Sequence, residues 1–158
     1  MAVIPDGIYR LVEKKLRGRH ELVPRAEMDL LAAQSAAVNC TAPPMDADRV
    51  SGSGDGKRLE RAVLRVIAAE KALDDAREWL DVMRLLDAAF PYPGTVEGEI
   101  AHILYEQGKK QAQASLELKC DKHTIQRRRD NYLIYGALIA ASKGLIEIGE
   151  GSVKNAVD

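Results

Sequence analysis

Apolar residues recur along this chain at helical spacing, and the longest regular run lies between Lys57 and Phe90. Leu59, Val66, Leu73 and Leu80 return every seven residues, and Ala62, Ala69, Ala76, Met83 and Phe90 form a second row three positions on. Large side chains on one row and mostly alanine on the other make a heptad seam, which Asp87 interrupts near its end. A helix of about 34 residues at 1.5 Å per residue spans about 51 Å.

The N-terminal part carries a weaker version of the same pattern. Ile8, Leu11, Val12 and Leu16 predict a helix over Asp6 to Arg17, with Gly18 as its stop. Pro24 suits a first helical turn, so a second helix is predicted from Pro24 to about Asn39, with Met28, Leu31 and Val38 on one side. Cys40 to Gly56 then holds Pro43-Pro44 and three glycines with almost no apolar periodicity, the signature of a loop. The stretch from Asp6 to Asn39 has nearly the length of the long helix. An antiparallel, coiled-coil-like hairpin of the two buries both seams; a homodimer through the Leu/Ala seam is the competing arrangement.

Pro91-Tyr92-Pro93-Gly94 ends the long helix, because proline cannot continue one and Gly94 permits a sharp turn. Ile100, Ile103 and Leu104 give a buried face to a helix from Glu97 to Gln107, closed by Gly108. Ala114, Ser115 and Leu118 share one face of a short helix, and Cys120 plugs the following turn. Asp121 supplies the oxygen that caps a new helix starting at Lys122. Ile125 and Tyr132, seven apart, face the core with Arg129 partly beside them, which leaves Lys122, His123, Gln126 and Arg127 outward. Leu133, Ile134, Ala137, Leu138 and Ile139 extend this helix to about Ser142. The expected organisation is all-α: a helical hairpin arm over residues 1–90 with its loop at 40–56, a hinge at 91–95, a helix-turn-helix domain at 96–146 and a polar tail at 147–158. A fragment beginning at Val96 is expected to fold alone.

Composition agrees with helices, since aromatic residues make up only 4% of the chain, charged residues 30%, and no strand-like alternation occurs. Charge changes the picture more. The chain as a whole carries −1, yet Lys109 to Arg129 holds seven cations and two anions. A cationic face on a near-neutral chain suits a polyanion, because Lys and Arg displace counterions condensed on phosphates. Lys122, His123, Gln126 and Arg127 occupy the N-terminal outward positions that a recognition helix presents to base edges. Lys109 and Lys110, just before the short helix, are placed for phosphates.

These residues carry a resemblance. Glu99 to Leu138 resembles the promoter-reading region-four domain of bacterial sigma factors. From about Asp6 to Leu138, including SGSGDGKRLERAV at Ser51 to Val63, the chain is similar to phage late-gene transcription activators of the RinA and ArpU type. It departs from them at Lys119, where Gly is usual, at Arg128, where an apolar residue is usual, and at Ser115, where Ala is usual. The resemblance implies a DNA-binding transcriptional regulator whose partners are double-stranded DNA and RNA polymerase, with a homodimer as a further option. It implies DNA contacts from Lys109, Lys110, Gln111, Lys122, His123, Thr124, Gln126, Arg127 and Arg129.

Other chemistry finds little support. Cys40 and Cys120 are far apart and neither has metal-ligand spacing, so no metal or cofactor is expected and the thiols are expected reduced. The chain has no phosphate loop, no Gly-x-Ser-x-Gly and no HExxH, and Glu97 and Glu99 suit a helix dipole better than an active site. An enzyme is not expected. Trp79 reads as a packing residue. No signal-peptide run or membrane-length apolar window occurs, which places the protein in the cytoplasm of a bacterial host. Two other classes stay open: a DNA-packaging protein of small-terminase kind, and a helical adaptor with no nucleic-acid role.

Overall fold

The computed structural model describes residues 4–41 and 54–149, and all regular structure among them is helical. The helices are α1 (Asp6–Arg17), α2 (Leu22–Thr41), α3 (Gly54–Ala89), α4 (Val96–Ala101), α5 (Gln111–Leu118) and α6 (Lys122–Ser142). The expected all-α class is therefore found. Most of the predicted loop at 40–56 and of the tail at 147–158 lies outside the described residues; Cys40 belongs to α2, and Gly54 to Gly56 open α3. Among the described residues no helix is long and apolar enough to cross a membrane.

Packing divides the chain into two units, Met1–Arg19 with Glu78–Asp158, and His20–Arg77. This differs from the expected division at residues 91–95. The periodicity correctly marks α1 and the last turns of α3 as amphipathic, but their apolar faces pack with the C-terminal helices. Val12 and Leu16 of α1, Met83 and Leu86 of α3, and Ile125 and Leu133 of α6 are all buried in the first unit. Gly136 lets these helices meet closely, since a Cβ there would stand 3.0 Å from Leu86 Cδ1 and 3.3 Å from Val12 Cγ1. Trp79 is buried, with Lys15 Nζ 5.8 Å from its ring centre. Asp87, which interrupts the heptad row, stays exposed and pairs with Arg19, whose second guanidinium nitrogen reaches Glu106, both at 3.0 Å.

The segment expected as a hinge is tied at both ends. Phe90 N–H donates to Leu86 O at 2.8 Å, and Thr95 N–H to Pro91 O at 3.0 Å. Thr95 Oγ1 also donates to Pro91 O and accepts from Gly98 N–H, both at 3.1 Å, so it caps α4. Helix α4 runs on through His102–Glu106 as a π-helical turn, in which Gln107 N–H donates to His102 O five residues back. The expected buried face of Ile100, Ile103 and Leu104 is found. Gly108, at φ +67°, then turns the chain into α5.

In the second unit, Ala26 of α2 packs with Leu73 and Ala76 of α3, flanked by Leu22, Val23 and Leu30. Farther along, Ala36, Asn39 and Cys40 lie against Arg58, Arg61, Ala62 and Arg65. The predicted face of α2 is corrected here. Met28, Leu31 and Val38 are 70%, 63% and 66% exposed. Helix α2 carries two apolar rows, and the one that packs against α3 is that of Leu22, Val23, Ala26 and Leu30. Pro24 falls in the first turn, as expected, where its missing N–H costs no helical hydrogen bond.

Candidate nucleic-acid interface

Helices α5 and α6 hold the residues expected to meet DNA, and local chemistry sets their geometry. Gln113 Oε1 accepts from Lys110 N–H at 3.2 Å and satisfies one donor at the start of α5. At the other end Lys119 adopts φ 51°, ψ 40°, the left-handed conformation, and is the only non-glycine residue with positive φ among the described residues. The turn is closed by Cys120 N–H donating to Ser115 O at 3.2 Å and by Ser115 Oγ donating to Cys120 O. Ser115, a departure from the resembled family, therefore has a task that Ala could not perform.

Asp121 opens α6, as its sequence position predicts. Its Oδ1 accepts from Thr124 N–H at 2.6 Å. That hydrogen bond holds the Asp121 carboxyl below its ordinary value. Ile125 and Tyr132 turn inward and are buried. Lys122, His123, Gln126 and Arg127 are exposed, while Thr124 and Gln111 are half-buried.

The left-handed Lys119 has a measurable consequence. An L-residue with a Cβ is strained in this conformation by about 1 kcal/mol, whereas glycine adopts it freely. Lys119→Gly is therefore expected to raise stability by about 1 kcal/mol in a denaturant titration, although it removes a cation from the surface.

Three of the seven cations in the window are engaged by carboxylates. Arg128 Nη1 lies 2.7 Å from Glu97 Oε1, and that glutamate is only 12% exposed. This explains a cation at a position where an apolar residue is usual: Glu97 meets it at the core edge, while its Nε remains buried without a hydrogen-bond partner. Arg129 is half-buried, with Asp130 Oδ1 at 3.2 Å and Glu13 Oε1 of α1 at 3.8 Å. Tyr105 OH donates to the same Glu13 oxygen at 2.9 Å, and burial pushes that hydroxyl above its ordinary range, with Glu13 adding to the effect. Lys109 Nζ pairs with Glu117 Oε1.

The exposed cations left over are Lys110, Lys119, Lys122 and Arg127. The structure thus brings Lys122, His123, Gln126 and Arg127 together at the start of α6, and draws Arg129 toward α1. Lys119, in the turn itself, was missing from the expected contact set although its charge was legible. The masking of Arg128 and Arg129 by Glu97 and Glu13 left no sequence signal, because those partners are remote in the chain. Comparison of the chain with protein-family models, with curated proteins and with solved structures returned no match.

Proposed function

We propose that the protein is a sequence-specific DNA-binding transcriptional regulator of the phage late-gene activator type. In this reading α5 and α6 act as a helix-turn-helix, and the start of α6 enters the major groove. One observation carries it. Directly after a tight left-handed turn and an aspartate cap, α6 presents Lys122, His123, Gln126 and Arg127 to solvent on its first two turns, while Ile125 between them is fully buried. Gln and Arg are the side chains that pair bidentately with adenine and guanine edges. Helix α2 with the first part of α3 then serves as a coiled-coil-like arm for RNA polymerase or a second copy of the chain, in the cytoplasm of a bacterial host.

A binding site selected from a random duplex pool tests this reading. Gln126→Ala and Arg127→Ala are expected to reduce discrimination between selected and random duplexes by about 1–3 kcal/mol each. Lys110→Ala is expected to weaken both duplexes alike and to lower the salt slope by about one unit. Lys109→Ala should do less, because Glu117 already engages that ammonium. Equal loss on both duplexes in all four variants sinks the assignment.

A further inference from the structure

A second cationic surface lies in the other unit. Arg58, Arg61 and Arg65 stand at i, i+3 and i+7 on α3 and line one wall of a groove of about 390 Å³. Ala36, Asn39 and Cys40 at the end of α2 form the other wall, and among the described residues no carboxylate lines it. All three arginines are exposed, and among the described residues none is in an ion pair. Helix α2 has no charged residue from Leu30 to Thr41, so the facing helix offers nothing to offset three guanidinium groups. Glu60 is two residues from Arg58 and therefore about 200° round the helix. Arg77 lies near Asp74 and Arg84 near Asp81, each three residues away, whereas Arg61 and Arg65 have no carboxylate three or four residues away on α3.

The row also has a useful length. Seven residues of helix rise about 10 Å, close to the axial rise of three base-pair steps of a duplex at about 3.4 Å each. Guanidinium forks match phosphate oxygens bidentately, and Asn39 adds an amide donor at the groove's edge. We infer that this groove binds the phosphate backbone of duplex DNA, as a sequence-independent contact additional to that of α6. The inference rests on the proposed function in taking DNA as the ligand, and not on the role given to α6.

The test is the salt dependence of binding by the full chain to the selected duplex and to a random one. With each phosphate contact contributing about 0.9 to the slope, R58Q/R61Q/R65Q is expected to lower it by about 2–3 units on both duplexes and to leave discrimination unchanged. Lysine at the three positions should restore most of the slope. The charge-matched control R10Q/K14Q/K71Q, at three exposed cations elsewhere, should leave it intact. An unchanged slope in the glutamine variant, or an equal loss in the control, overturns the groove. If circular dichroism shows that the triple variant loses helix, the three single substitutions decide, each expected to lower the slope by about one unit.

The outcomes separate the two readings. Loss of slope with Gln126 and Arg127 variants that discriminate normally leaves the groove standing and removes α6 from the major groove. Normal slope with lost discrimination does the reverse. A wild-type chain that binds no duplex overturns both.

Discussion

A chain cut down to residues 96–158 will show no cooperative unfolding transition. The periodicity of α4 to α6 predicts that they fold alone, but their core is completed from outside that range. Leu86 of α3 is fully buried, and Val12 of α1 nearly so, and both sit where a Cβ on Gly136 would meet them. A fragment starting at Val96 leaves the apolar face of α6 open along that row. Fewer than 65 residues without those contacts sit at the margin where a single core sustains a fold, and the missing helices supply several of its largest members. A graded version uses the full chain. Leu86→Ala, at a position with no exposed surface, is expected to cost about 2–5 kcal/mol by denaturant titration. A cooperative melt of the 96–158 fragment, or a Leu86→Ala cost below about 1 kcal/mol, contradicts this account of the core.

Gly98→Ala will destabilise the protein although alanine is the better helix former. Inside a helix the exchange ordinarily gains up to about 1 kcal/mol. Here the added Cβ would lie 2.6 Å from Phe90 O and 2.7 Å from Pro91 O, and both are backbone atoms that cannot swing away. Overpacking of this kind costs about 1–3 kcal/mol, enough to reverse the sign. Gly98 lies in the first turn of α4, and Thr95, which caps its N–H, is itself bonded to Pro91. The substitution should therefore lower the melting temperature, with Gly98→Val lowering it further. Stabilisation by Gly98→Ala would show that the turn at Pro91 to Thr95 moves freely enough to act as a hinge.

Much of the helical outline is legible in the residues alone. The stop at Gly18, the start at Lys122 and the end near Ser142 all follow from capping chemistry and from the spacing of apolar positions. The heptad rows of α3 also point inward in part, with Ala62, Leu73, Ala76 and Met83 buried. Ile125 and Tyr132 are buried and Lys122, His123, Gln126 and Arg127 exposed, as their spacing requires. Local patterns succeed here because a helix places residues by an angle that depends only on their separation in the chain.

Partner choice is different, because it depends on what the rest of the chain brings to each face. Helix α2 has one apolar row with Met28, Leu31 and Val38 and another with Leu22, Ala26 and Leu30, and periodicity alone does not say which of the two meets α3. The grouping of α1 with α6 is likewise invisible to spacing, since α1 is amphipathic whichever helix it covers. The charge of the window shows the same limit. Counting residues from Lys109 to Arg129 reveals a cationic segment, but Glu117, Glu97 and Glu13 engage three of its members, and two of those glutamates lie far away in the chain. The amino-acid sequence by itself determined the helices, their caps and which side of α6 faces water, all consequences of short-range geometry. Only the tertiary structure decided which apolar face meets which, and which cations remain free for a polyanion, because both depend on side chains that chain folding brings within a few ångströms of each other.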